Sequence, residues 1–107
     1  IANQIVRCTR TSDGVYRYGG EEFVVILPNT ATAGAELLAE RIRGEIENMQ
    51  VESLPASEHV TASLGVAHFV PGETHVDLMQ RADDLLLTAK RGGRNRVVVA
   101  PEIKAPV

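Results

Sequence analysis

Apolar residues recur along this chain with two alternating periods, one near 3.6 and one near 2, and the switches between them mark its elements. Ile1, Ile5 and Cys8 stand at i, i+4 and i+7, which predicts a helix over residues 1–11. The turn residues "TSDG" end it. Two β-prone runs follow, Val15 to Tyr18 and Phe23 to Leu27, separated by "GGEE" and closed by Pro28 and Asn29, which predicts a hairpin. Thr30 or Thr32 is placed to cap a second helix that reaches about Met49. Its apolar stripe is Ala35, Leu38, Ile42, Ile46 and Met49, with Glu36, Glu40, Arg43 and Glu47 outside.

Beyond Met49, "VESLPASEH" reads as a connection or a weak strand and Val60 to Val70 as a strand, which "PGE" breaks. "THVD", Thr74 to Asp77, has the form of a capping box. The helix it opens carries Leu78, Ala82, Leu85, Leu86 and Ala89 on one face, and Gly92 and Gly93 stop it. "RVVVA" is a last strand. The order helix, hairpin, helix, strand, helix, strand predicts an α/β (α+β) sandwich, with helices packed on a mixed or antiparallel sheet. About four strands are counted, and a helix with no strand before it opens the chain, so the sheet is expected to lack a member. The first residue is Ile1 rather than Met, and the chain is expected to be a piece of a longer protein.

Composition narrows the function classes. The chain has 107 residues, is 44% hydrophobic and 23% charged, and fits one ordinary globular domain. Aromatics make up only 4%, so Val, Ile, Leu and Ala must fill the core. A net charge of -3 argues against a general nucleic-acid binder, which needs a wide basic face. Positive charge is nevertheless concentrated in "KRGGRNR", Lys90 to Arg96. Cys8 is the only cysteine, which rules out an internal disulfide and fits a reducing compartment. No apolar run approaches the roughly 20 residues of a membrane helix, and no signal-peptide pattern opens the chain.

Candidate chemistry lies in three places. In "GGEE" two adjacent carboxylates repel unless water or a cation relieves them, so the stretch is either a solvated hairpin turn or a site. "KRGGRN" is either a helix end whose basic residues offset the dipole or a phosphate contact. Arg10 and Asp13 form an i, i+3 pair just before the hairpin, which on its own is a surface ion pair. His59, His68 and His75 lack metal-ligand spacing, Ser63 has no His partner near it in sequence, and Cys8 reads as a small core residue.

"RTSDGVYRYGGEEFVVILPNT", "AERIR", "VTASLGVA", "LMQRADDLLLTAK" and "GGRNRVVV", in that order, closely resemble GGDEF domains, the diguanylate cyclases that make cyclic di-GMP from two GTP molecules. The resemblance covers Ile1 to Val99, read as a partial domain of residues 1–99 followed by a tail of residues 100–107. It implies a ferredoxin-like, nucleotidyl-cyclase palm-type fold lacking its first central strand. It implies that Glu21 is a catalytic residue and the ligand of Mg²⁺ or Mn²⁺, and that Glu22 helps shape the site. Gly19 and Gly20 would admit the nucleotide, Lys90 and Arg94 would contact GTP phosphates with Asn95 as companion, and Arg10, Asp13 and Arg41 would form an inhibitory cyclic di-GMP site.

The resemblance also implies an earlier strand with a metal-holding Asp, and helices with an Asn and an Asp that read guanine. None of these has a counterpart in the chain. The 107 residues alone are therefore expected not to synthesise cyclic di-GMP, and to pair the bare sheet edge with another chain or a rearranged strand. The parent would be a cytoplasmic or membrane-anchored homodimer under an upstream sensory or receiver domain. A non-catalytic cyclic di-GMP receptor or dimerisation module is the alternative.

Overall fold

Seven elements form in the computed structural model, which describes residues 1–19, 22–49 and 60–101. They are α1 (Ala2–Cys8), β1 (Gly14–Gly19), β2 (Glu22–Ile26), α2 (Thr32–Glu47), β3 (Leu64–Val66), α3 (His75–Arg91) and β4 (Val97–Val99). The expectations for Gly20, Glu21, the stretch 51–59 with its His59, and the tail from residue 102 lie outside the described residues.

The helices follow the apolar stripes. Ile5 and Cys8 of α1 meet Ile42 and Ile46 of α2 in a buried cluster, where Ile46 is 1% exposed. Full burial of such a side chain stabilises by about 1.5–3 kcal/mol. Val15, Phe23 and Val25 of the hairpin pack on this cluster from one side, and Val60, Ala62 and Leu64 also pack against it. Thr74 opens α3 with the capping box read from the sequence. Its Oγ1 accepts from the Asp77 N–H at 3.1 Å, and the Asp77 carboxylate accepts from the Thr74 N–H at 3.1 Å. At Gly65 a Cβ would lie 2.4 Å from the backbone of Ala82 and Leu86, so glycine there lets α3 sit directly on β3.

The cap of α2 and the length of β3 differ from the sequence reading. Neither Thr30 nor Thr32 caps α2. Ala31 is the N-cap and has no polar side-chain atom to offer, while the Thr30 hydroxyl donates to the Pro28 carbonyl. The strand expected over Val60 to Val70 is three residues long, since its parallel partner β4 offers only Val97–Val99 for pairing.

Instead of one sheet, the described strands form two pairs. β1 and β2 are antiparallel, β3 and β4 parallel, and the pairs share the apolar cluster rather than a hydrogen-bond ladder. Ala100, at the tail boundary drawn from the sequence, is buried and donates its N–H to the Val66 carbonyl at 2.8 Å.

Candidate functional site

The hairpin is tighter than the sequence suggests. Gly19 pairs with Glu22, so both belong to the ladder and only residues 20 and 21 separate the strands. A register shift between Arg17 and Gly19 gives β1 one extra residue at this end, a bulge of the kind that re-aims side chains. A Cβ on Gly19 would meet nothing within 4 Å, and its φ is not left-handed. Neither packing nor backbone conformation requires glycine there, whereas an approaching ligand would.

α3 delivers the positive charge. Its last turn carries Lys90 and Arg91, where cations favour the negative end of the helix dipole. Lys90 Nζ stands 3.9 Å from Glu22 Oε1, both side chains half-exposed at the hairpin mouth. The chain then turns through Gly93, Arg94 and Asn95, all with positive φ. Arg94 is exposed on that turn.

Among the described residues no three His, Cys, Asp or Glu side chains converge as a ready-made metal site. Mg²⁺ does not require one, because it is commonly held by one or two carboxylates, waters and substrate phosphates. The Glu22 carboxylate, open at the hairpin rim, is an oxygen donor of the right kind, and Glu21 adjoins it in sequence. The donor set fits the cation.

Arg10 and Asp13 form a second centre. The Asp13 carboxylate accepts from the Arg10 N–H at 2.8 Å and from its guanidinium at 3.2 Å. The Asp13 N–H donates to the Arg10 carbonyl at 3.0 Å, which closes the turn on itself. The Arg10 backbone N–H first, and its guanidinium after it, hold the Asp13 carboxyl below the ordinary aspartate value. Arg10 reaches further. Its Nη2 also donates to the Pro28 carbonyl at 3.2 Å and to Thr30 Oγ1 at 2.6 Å. Here Asp13 is covered, with 1% of its side chain exposed, while Arg10 presents 58% of its own. A shallow pocket of about 290 Å³ opens over Val6, Thr9, Arg10, Thr11, Asp13 and Val15.

Arg41 lies exposed on α2 and, among the described residues, makes no hydrogen bond or ion pair with Arg10 or Asp13. The structure thus joins Glu22 to Lys90 and Arg10 to Asp13 but leaves Arg41 apart. Thr30 and Pro28 were missed from the sequence. The only cue was the "PNT" turn, in which Thr30 reads as a helix cap.

A carboxylate and an ammonium side by side at the rim of a glycine-bearing hairpin complement a metal-bound polyphosphate. The family described as diguanylate cyclase, GGDEF domain, matches residues 1–96, and the chain belongs to it. It is 43% identical over 100 residues to diguanylate cyclase DgcM of Escherichia coli K12, covering 94% of this chain and 24% of that protein. The crystal structure of the coiled coil and GGDEF domain of DgcB from Caulobacter crescentus, in complex with c-di-GMP, matches with a TM-score of 0.85 at 35% identity. That match covers 92% of this chain and 53% of DgcB's. The active GGEEF domain of a diguanylate cyclase from Vibrio cholerae matches with a TM-score of 0.82 at 32% identity, covering 95% and 65%. The chain spans about a quarter of the length of the curated relatives it matches. Among the described residues, no helix is long and apolar enough to cross a membrane.

Proposed function

We propose that this chain is the catalytic GGDEF part of a diguanylate cyclase, which condenses two GTP into cyclic di-GMP and pyrophosphate. The observation that carries the proposal is the meeting of Glu22 and Lys90 at the hairpin mouth, two signature segments far apart in sequence. The triphosphate lies across the glycines, and Lys90 and Arg94 bind its oxygens, Arg94 with the paired N–H groups suited to phosphate. Glu21 assists loss of the proton from the attacking 3′-hydroxyl, and Glu22 helps shape the site. A bound Mg²⁺ or Mn²⁺, held by Glu21 with Glu22 beside it, would neutralise the triphosphate charge.

In each half-reaction the 3′-oxygen of one GTP bonds to the α-phosphorus of the other. The bond to the β-phosphate bridging oxygen breaks, and pyrophosphate leaves. Two copies of the domain meet face to face, each presenting one GTP, so positioning and charge neutralisation do most of the work. The Arg10–Asp13 pocket is the product-inhibition site, with Arg41 reaching it from a second domain. The protein is cytoplasmic or faces the cytoplasm, under control of an input domain.

The test is cyclic di-GMP formation from GTP and Mg²⁺ by the protein that carries this domain, followed by chromatography. Glu21→Ala is expected to lower turnover by roughly 100-fold or more, as loss of a transition-state charge contact does. Lys90→Ala is expected to act mainly on KM. Undiminished product in Glu21→Ala would overturn the assignment.

A further inference from the structure

Gly93, Arg94 and Asn95 follow one another with φ of 120°, 62° and 46°, a run of left-handed backbone in which two members carry side chains. Such residues are uncommon and need a local cause. The end of α3 accounts for the first. The Gly93 N–H donates to the Lys90 carbonyl at 3.4 Å and the Arg94 N–H to the Ala89 carbonyl at 3.0 Å, the Schellman pattern in which glycine takes the left-handed place. It does not account for the other two.

What holds them is Asn95. Its N–H donates to Ser63 Oγ at 3.1 Å, just before β3. Its Oδ1 accepts from Arg43 Nη1 at 3.0 Å, and its Nδ2 donates to the Glu47 carboxylate. Both partners lie on α2 one turn apart, and Arg43 is paired in turn with Glu47 at 3.4 Å and with Glu40 at 3.0 Å. The chemistry of the partners fixes the amide's orientation, since a guanidinium only donates and a carboxylate only accepts. The clamp is part-buried, with 21% of the Arg43 side chain exposed, so water competes less for these bonds than on an open surface. Arg94, one residue away, projects from the restrained turn and is itself exposed.

We propose that Arg43 and Glu47 of α2, acting through Asn95, are positioning residues that aim Arg94 at the nucleotide phosphates. The inference rests on the phosphate role proposed above for Arg94. With Asn95 released, Arg94 and Asn95 can rotate into the commoner negative-φ regions, which redirects the Arg94 side chain from its root. A guanidinium presented from a fixed backbone loses less freedom on binding than one on a free loop. α2 therefore serves two ends: one face fills the core through Ile42 and Ile46, and another fixes the basic turn.

The test is calorimetric binding of 3′-deoxy-GTP with Mg²⁺, a nucleotide that lacks the attacking hydroxyl, to the protein that carries this domain. Arg94→Ala is expected to raise Kd roughly tenfold, the effect of losing one charge-assisted contact. Asn95→Gly keeps the left-handed backbone accessible and removes only the side-chain tie. That variant and Arg43→Gln are expected to raise Kd by up to the same factor. In an Arg94→Ala background they should add nothing, whereas a merely structural tie would weaken binding equally in both backgrounds. Arg43→Lys, which retains a cationic donor, is expected to recover part of what Arg43→Gln loses.

Full additivity of the losses, or unchanged Kd in Asn95→Gly and Arg43→Gln while Arg94→Ala binds weakly, overturns the positioning role and leaves the phosphate site standing. An unchanged Kd in Arg94→Ala overturns both.

Discussion

Thr30 Oγ1 lies 2.6 Å from the guanidinium of Arg10, twenty residues earlier in the chain, and passes its own hydrogen bond to the Pro28 carbonyl at 3.0 Å. The pair fastens the turn after α1 to the end of the hairpin's second strand. Thr30→Val preserves shape and removes the hydroxyl. If Arg10 is the anion-binding arm of a product site, this variant is expected to weaken cyclic di-GMP binding roughly three- to tenfold, the range of an ordinary net hydrogen bond. Calorimetry with cyclic di-GMP, set beside Arg10→Ala, checks it. Parental affinity would make Thr30 incidental.

Acid should act through two carboxyls held below their ordinary values of 3.8 and 4.5. Asp13 is lowered chiefly by the Arg10 N–H, and Glu73 by the Arg81 guanidinium, whose Nη2 donates to it at 2.7 Å. A depressed folded-state pKa contributes stability that is present above the unfolded value and lost as pH falls through the folded one. The urea midpoint of the parent should exceed that of Asp13→Asn by a constant margin between about pH 8 and pH 5. The margin should shrink only below the ordinary aspartate value. A margin that closed at neutral pH would contradict the arrangement.

Two glycines should respond to alanine with opposite signs. Gly65→Ala puts a methyl group 2.4 Å from backbone atoms of α3, which must move, at about 1–3 kcal/mol. Gly44 lies inside α2 with open space where its Cβ would stand, so Gly44→Ala is expected to stabilise by about 0.5–1 kcal/mol. Denaturant melts of the two variants against the parent decide both.

The capping box of α3 is predicted to matter by itself. Thr74→Ala removes the Oγ1 that accepts from Asp77, and should cost about 1 kcal/mol in a denaturant melt. Thr74→Ser, which keeps the oxygen, should restore most of it.

What could be read from the sequence was what is local. The α3 capping box needs four residues, and the stripe through Leu38, Ile42 and Ile46 is a matter of period, so both stand in the structure as expected. The length of β3 depends on how much of β4 it meets, which alternation along one strand does not encode. The contact of Lys90 with Glu22 follows from no local pattern, because it requires α3 to end beside the hairpin, and the resemblance implied a role for each residue without pairing them. Thr30 was misread for a physical reason: a threonine before a helix has two uses for its hydroxyl, and tertiary contact with Arg10 selected the other. The amide of Asn95 is likewise silent in sequence, since its partners Arg43 and Glu47 look like the solvated face of a helix.

Among the described residues, the buried core of Ile5, Cys8, Ile42 and Ile46 contains no polar or charged residue, and Arg10, Asp13, Glu22, Lys90 and Arg94 all lie outside it. Selection can therefore act on ligand handling and on foldability almost separately. If Arg10 and Glu22 act as proposed above, a lineage could lose product control at the one, or blunt its chemistry at the other, and still inherit a protein that folds. Copies that diverge in regulation while keeping one scaffold are the expected evolutionary outcome of such a partition.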